Sequence, residues 1–331
     1  MTEASSEHRW REELNVAMSA FLKPYASGTC DGLYDPIHYL LGLGGKRIRP
    51  LLALATCEAE GESLAKAMPS ALAVELFHNF TLMHDDIMDE APLRRGRPTV
   101  HVKWDENAAI LSGDVMYTLA LTSLAQTHAS ALPAVLDLFN ATAREVCEGQ
   151  QSDMAFERME GVGESAYLDM IQNKTSVLLA ASASMGALSA GVGKARSQAW
   201  YDYGLNVGLA FQIQDDLLDA FGESGQTGKQ VGGDILCDKK TLIWLHTASS
   251  EHGEVLRQWL GIQPAQGSDQ AAEKIRCVRD AMEAAGADVR AKELMRKHVD
   301  LAMDALGRLE LPEDKQQWFA ALAEHVTTRN H

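Results

Sequence analysis

Between Pro133 and Pro264 the chain contains no proline. Over that stretch apolar residues recur at spacings of three and four, as in Leu168, Ile171 and Leu178 and again in Leu205, Leu209 and Ile213. Sheet architectures need frequent turn residues and an alternation of two, and almost none is visible. Aromatic residues are only 6% while alanine and leucine are abundant, which favours helices. The pattern predicts an all-α chain of about ten or more helices at ordinary helix lengths. Breaks fall at Gly42 to Gly45, Ala91 to Pro98, Gly222 to Gly233 and Gln263 to Ser268. None has the length or composition of a domain linker. A length of 331 residues would allow two domains. The expected organisation is nevertheless one domain over 1–331, a large helical bundle.

Charge and cysteine usage narrow the class of partner. The 30 basic and 46 acidic residues leave a net charge of −16, which argues against non-specific binding to nucleic acid or anionic lipid. It does not exclude an anionic small substrate, because a site can be locally basic. The five cysteines, Cys30, Cys57, Cys147, Cys237 and Cys277, are odd in number and lack CxxC spacing. A reducing, cytoplasmic setting is therefore expected rather than a disulfide or zinc framework. The N-terminal segment has no apolar core of a signal peptide. No apolar run approaches the roughly 18 residues of a membrane span.

Two aspartate clusters stand out, Asp85-Asp86-Ile87-Met88-Asp89 and Asp215-Asp216-Leu217-Leu218-Asp219. Both read D-D-x-x-D. On a helix the first and last aspartate, at i and i+4, project from one face. Each cluster sits inside an apolar helix-periodic stretch, Leu72 to Met88 and Leu205 to Phe221. Buried like charges are costly unless something cationic offsets them. Hard oxygen donors of this kind suit magnesium held by carboxylates together with substrate phosphates. A single cluster could be an ordinary solvated acidic face, but two copies in apolar helices argue otherwise. A di-iron carboxylate bundle would need paired E-x-x-H motifs. Glu75-x-x-His78 is one match and no second was found.

Basic segments sit at the chain breaks: Lys46, Arg47 and Arg49 after a glycine turn, and Arg94, Arg95 and Arg97 one short loop after the first cluster. Lys229, Lys239 and Lys240 follow the second cluster, and Lys174-Thr175 lies within a helix rich in small residues. Cations at glycine-flexed turns are suited to holding phosphate.

These segments resemble the trans-isoprenyl diphosphate synthases, the family of farnesyl and geranylgeranyl diphosphate synthases. The matching stretches are GGKRIRP (44–50), ELFHNFTLMHDDIMDEAPLRRGRPTVH (75–101), GDVMY (113–117), EGQQSD (148–153), NKTSVLLAAS (173–182), GLAFQIQDDLLD (208–219) and GKQVGGDILCDKKT (228–241). The resemblance implies an all-α bundle of the isoprenoid synthase type with a central cavity, and a homodimer. It implies that Asp85, Asp86, Asp89, Asp215, Asp216 and Asp219 hold about three magnesium ions on an allylic diphosphate. Lys46, Arg49, His78 and Arg95 would form the pocket for isopentenyl diphosphate. Arg94, Lys174, Thr175, Gln212, Lys229 and Lys239 would serve the allylic site. Thr227-Gly228-Lys229 stands where the family often has Phe-Gly-Lys.

The reaction so implied ionises the allylic carbon–oxygen bond to a cation, which the double bond of isopentenyl diphosphate attacks. In this family the departing diphosphate takes the proton that is then lost. Thr175 and Gln212 would present oxygen dipoles to the cation while apolar walls exclude water. In the family that the chain resembles, a bulky residue about five positions before the first aspartate acts as the floor of the product cavity. Here it is Phe80, with Thr81 beside it and Phe77 deeper. A short product of about fifteen to twenty carbons is therefore expected, the limit being cavity length. The alternatives are a longer-chain polyprenyl diphosphate synthase or a terpene cyclase of the same fold. The second D-D-x-x-D and the Gly-Gly-Lys-Arg segment speak against the cyclase. The residues after about 262 carry no recognisable motif.

Overall fold

The helical periodicity of the sequence is realised almost without interruption. The structure, a computed structural model, describes residues 3–26, 30, 32–156, 158–159, 161–222, 232–265 and 267–328. Lys229 and the turn around it lie outside the described residues. In chain order the helices are α1 (Glu3–Leu22), α2 (Asp35–Gly42), α3 (Ile48–Ala59), α4 (Leu64–Met88), α5 (Val100–Lys103), α6 (Glu106–Leu124), α7 (Leu132–Phe156) and α8 (Glu164–Ile171). They continue with α9 (Val177–Ala190), α10 (Lys194–Phe221), α11 (Gly233–Leu236), α12 (Leu242–Ala248), α13 (Gly253–Trp259), α14 (Asp269–Ala284), α15 (Ala287–Gly307) and α16 (Glu313–Thr328). One two-stranded antiparallel ribbon, β1 (Leu93–Arg94) with β2 (Arg97–Pro98), is the only sheet among the described residues.

Local chemistry sets several helix starts. Asp105, Thr241 and Ser268 each accept a hydrogen bond from the backbone N–H three residues on, satisfying a donor that the first helical turn leaves open. α4 is buried around most of its circumference: Ala67, Ala71, Val74 and Phe77 share the interior with Glu75 and Asp86. A helix buried on all sides has no amphipathic stripe and occupies a core position.

The chain falls into two compact units, one of Met1–Asn140 with Ala181–Tyr201 and one of Ala141–Ala180 with Asp202–His331. In the first, α4 packs along α3 and α6, and α1 lies on α3 and α4. Arg9 and Trp10 on α1 hold Glu58 of α3, the indole N–H at 2.8 Å. Glu60 accepts from Arg196 and from the Trp200 indole, each at 2.6 Å. In the second unit α15 packs on α12 and α16, and α14 on α11, α13 and α15. There the fully buried Tyr203 hydroxyl donates to the Phe319 carbonyl at 2.8 Å.

α9 approaches α3 closely at Gly186, where an added Cβ would stand 2.2 Å from the Ala53 carbonyl oxygen. That is backbone against backbone, which cannot yield as a side-chain tip would. Gly186→Ala is therefore expected to destabilise the fold by about 1–3 kcal/mol through overpacking, read as a lowered denaturation midpoint. An unchanged midpoint would show that the two helices separate freely.

Candidate functional site

The first aspartate cluster ends α4. Asp85 is half-buried and Asp89 exposed, whereas Asp86 turns inward and is 2% exposed. Burial raises the Asp86 carboxyl above its usual range, partly offset by the Arg94 guanidinium. Arg94 donates to both carboxylate oxygens through Nε, at 2.9 and 2.8 Å, and through Nη2 at 2.8 Å. The ribbon turns at Arg95-Gly96, where both residues have positive φ, 54° and 71°. That is the geometry of a type I′ hairpin turn. It places Arg94 against Asp86 and the next residue, Arg95, over Gly45. A Cβ on Gly45 would meet the Arg95 guanidinium at 2.8 Å, and its φ of 140° also favours glycine.

Arg49 and His78 meet at this corner, with Arg49 Nη1 3.3 Å from His78 Nε2. The contact requires a neutral ring, whose Nε2 accepts the guanidinium N–H. His78 is held well below the usual imidazole range by desolvation, then by the charges of Arg49, Arg95, Arg94 and Arg47. Desolvation also lowers Arg49 to about 10. The countercharge is Glu75, whose field reaches both Arg49 and Arg95. Glu75 pairs with Arg47 Nη1 and accepts from Asn79 at 2.7 Å, and Arg47 also holds the Leu41 carbonyl at 2.6 Å. Arg47 has a left-handed backbone, φ 54°, at the start of α3. The pair thus fixes Arg47, which follows Lys46 and stands two residues before Arg49.

One turn before the cluster, Phe80 lies in an aromatic group. Its ring centroid is 5.5 Å from Phe77, 5.5 Å from Tyr117 and 4.7 Å from His84, and Phe139 meets Phe77 edge-on at 5.3 Å. Thr81 turns its hydroxyl back to the His78 carbonyl. Gly113 allows α6 to pass: a Cβ there would stand 2.3 Å from His84 Nε2.

The second cluster, near the end of α10, repeats the first. Asp215 and Asp219 are half-buried and Asp216 is 4% exposed. Burial pushes the Asp216 carboxyl up to about 7, opposed by hydrogen bonds from Tyr167 and Gln212. Tyr167 donates its hydroxyl to Asp216 Oδ2, and Gln212 Nε2 donates to Oδ1 at 3.3 Å. Thr175 donates to Gln212 Oε1 at 3.3 Å, and Lys174 Nζ to Asp153 at 2.6 Å. Lys174 and Thr175 lie in a π-helical turn, Gln172–Ser176, a wide turn that often marks functional positions. Two glycines admit it. A Cβ on Gly149 would be 2.2 Å from the Lys174 nitrogen, and one on Gly208 2.7 Å from the Ser176 Cα. After α10 the chain returns to Asp219, whose Oδ1 accepts the Asp234 N–H at 2.9 Å. Lys239 Nζ is 3.9 Å from Asp234 Oδ1.

Each middle aspartate is thus also engaged by protein side chains. Asp86 is committed to Arg94, and Asp216 to Tyr167 and Gln212. Asp85 Oδ2 also lies 3.9 Å from Arg94 Nη2, and the i, i+4 pairs Asp85/Asp89 and Asp215/Asp219 each project from one helix face. Among the described residues no group of three or more His, Cys, Asp or Glu is arranged to enclose an ion. Pairs of hard carboxylates fit magnesium, which keeps waters and shares its shell with substrate phosphates.

A profile of the polyprenyl synthetase family matches residues 30–278. The chain belongs to the polyprenyl synthetase family. It is 38% identical over 304 residues to a geranylgeranyl pyrophosphate synthase of Geoglobus acetivorans, covering 91% of this chain and 92% of the relative. It is 36% identical over 344 aligned positions to a geranylfarnesyl diphosphate synthase of Natronomonas pharaonis, covering 97% and 96%. A crystal structure of a geranylgeranyl pyrophosphate synthase superposes with a TM-score of 0.91 at 39% identity, covering 99% of each chain. The fold is the all-α isoprenoid synthase fold, and the chain is a prenyltransferase of the trans-isoprenyl diphosphate synthase class.

Sequence reading did not single out Glu75 as the partner of Arg47, Asp153 as the partner of Lys174, or Tyr167 as the donor to Asp216. Asp153 closes the EGQQSD segment, and its spacing carried no sign of its partner. Tyr117 ends GDVMY and joins the Phe80 group.

Removing the Glu75 charge in Glu75→Gln leaves Arg47 unpaired in a largely buried position, an expected loss of about 3 kcal/mol of stability, measured by denaturant unfolding. For His78 the folded pKa is depressed, so below about pH 6.5 the unfolded chain takes up a proton that the folded chain refuses. Stability should fall as the pH drops through that range and be fully present above it. His78→Gln, which keeps an acceptor for Arg49, should flatten the decline in thermal midpoint between pH 7 and 5. An identical decline in the variant would remove His78 as its source.

Proposed function

We propose that the enzyme condenses isopentenyl diphosphate with an allylic diphosphate, dimethylallyl, geranyl or farnesyl, to a product of about fifteen to twenty carbons, its length limited by the cavity. The observation that carries the reading is the repeated construction of the two D-D-x-x-D motifs. In each, the middle aspartate is buried and hydrogen-bonded by side chains, and the outer two project from one helix face at i and i+4.

Asp85, Asp86, Asp89, Asp215, Asp216 and Asp219 would hold about three magnesium ions together with the substrate's phosphates. Magnesium, when bound, supplies neutralisation of the leaving diphosphate's charge. Arg94, Lys174, Lys229 and Lys239 would hold the allylic diphosphate. For Lys174 this means exchanging Asp153 for a phosphate oxygen, a charge-assisted contact of the same kind. Lys46, Arg49, Arg95 and neutral His78 would hold isopentenyl diphosphate. The excess of arginine over the single Glu75 carboxylate at this corner supports an anionic occupant. Thr175 and Gln212, already hydrogen-bonded to each other, would direct oxygen dipoles at the developing cation. No side-chain base is assigned, because the diphosphate released in the reaction can accept the proton.

One domain over 1–331 is part of the proposal. It is supported by the unit boundaries at 140/141, 180/181 and 201/202, which fall inside α7, α9 and α10. A homodimer is proposed too, supported by exposed Val102, Ile110 and Leu111 on α5 and α6. A cytoplasmic location is supported by five cysteines that are all free thiols. No helix among the described residues is long and apolar enough to cross a membrane.

Phe80 is the proposed floor of the product cavity. Its place among Phe77, Tyr117 and His84 supports this, since a ring held by rings yields little to a growing chain. Mass spectrometry of products formed with each allylic primer tests the whole reading, and products of thirty carbons or more would overturn the short-chain assignment. Phe80→Ala should lengthen the main product by at least one five-carbon unit. Unchanged length would take Phe80 out of that role.

A further inference from the structure

Lys274 on α14 is 1% exposed. Its ammonium has three donors, and all three are used: Asp238 Oδ1 at 2.7 Å, the Ile262 carbonyl at 2.8 Å and the Leu236 carbonyl at 3.3 Å. The other Asp238 oxygen accepts the Gly261 N–H at 2.9 Å. Asp238 has φ 55°, a left-handed conformation in which aspartate and asparagine are the commonest residues after glycine. The next residue is Lys239, whose N–H donates to the Asp234 carbonyl at 2.9 Å and whose carbonyl accepts from Thr241. Lys240 is then tied to the carbonyls of Phe156 and Met159.

Cys237–Lys240 is thus a tight reversal whose direction is set at Asp238. A buried ion pair is weak support for stability, since a packed apolar pair often does as well. What it does specify is geometry. The left-handed Asp238 is held from both carboxylate oxygens, and the backbone exit vector of Lys239 follows from it. A lysine side chain is long and flexible, so the placement of its ammonium depends on where its Cα is anchored.

We propose that Lys274, through Asp238, is a positioning residue for Lys239, setting that ammonium to receive the diphosphate of the allylic substrate. The proposal rests on the reading of Lys239 given under the proposed function. It gives the stretch beyond residue 262, which carries no motif of its own, a part in substrate binding.

The test is steady-state kinetics of the full-length enzyme with magnesium, varying geranyl diphosphate and isopentenyl diphosphate in turn. The variants are Lys274→Met, Asp238→Asn, Lys239→Ala and the Lys239→Ala/Lys274→Met pair. Lys274→Met should raise KM for geranyl diphosphate about fivefold or more while KM for isopentenyl diphosphate stays within about twofold. In the Lys239→Ala background the same change should add less than about twofold, the non-additivity of two residues acting as one. Asp238→Asn keeps the side-chain shape and decides the matter should Lys274→Met not fold; it should raise the same KM. If Lys239→Ala raises KM for geranyl diphosphate but neither Lys274→Met nor Asp238→Asn does, the positioning role is overturned and the reading of Lys239 stands. Equal loss in both KM values, or independent multiplication of the two effects, also overturns it. If Lys239→Ala leaves that KM unchanged, the reading of Lys239 falls and the positioning role with it.

Discussion

Concentrated like charge is the problem that this protein solves at each functional corner, and the Glu75–Arg47 pair is the clearest solution. Four arginines bear on His78 through their charges, and their mutual repulsion opposes bringing them together. Glu75 lies inside that field, 3% exposed, and is held in place by Asn79. Its charge lets the cations stay close without neutralising them all. The residual positive potential is what an anionic ligand would meet, on an acidic molecule whose net charge is −16.

The aspartate motifs apply the same logic with the sign reversed. Asp86 is stabilised by a guanidinium bonded to it, whereas Asp216 is hydrogen-bonded by a hydroxyl and an amide, feels Lys239 through its charge alone, and its carboxyl rises to about 7. The two motifs are therefore alike in layout and unlike in electrostatics. A cation at the first meets an aspartate already compensated; one at the second also relieves a carboxylate that is poorly solvated.

Much of this was legible in the residues. The three-and-four spacing gave the helices, and the D-D-x-x-D repeats with their basic loops carried the family. The pairings were not legible, because they depend on which helix lies beside which. Glu75 was read as half of an E-x-x-H motif, and only the position of Arg47 shows what it does. The aspartates at i+1 look equivalent to their neighbours because helix phase alone does not tell which face turns inward when a helix is buried around most of its circumference. The π turn at 172–176 has no composition of its own, and depends on the absent side chains of Gly149 and Gly208. The ribbon at 93–98 was read as a break, since two-residue strands are too short to alternate.

That ribbon makes chain length, rather than side-chain identity, the guarded property of the loop. Two neighbouring arginines are sent to different destinations, one to Asp86 and one over Gly45, by a turn with no spare residue. Inserting a single residue ahead of Arg94 in the ribbon would hand each arginine the other's address, with no side chain substituted.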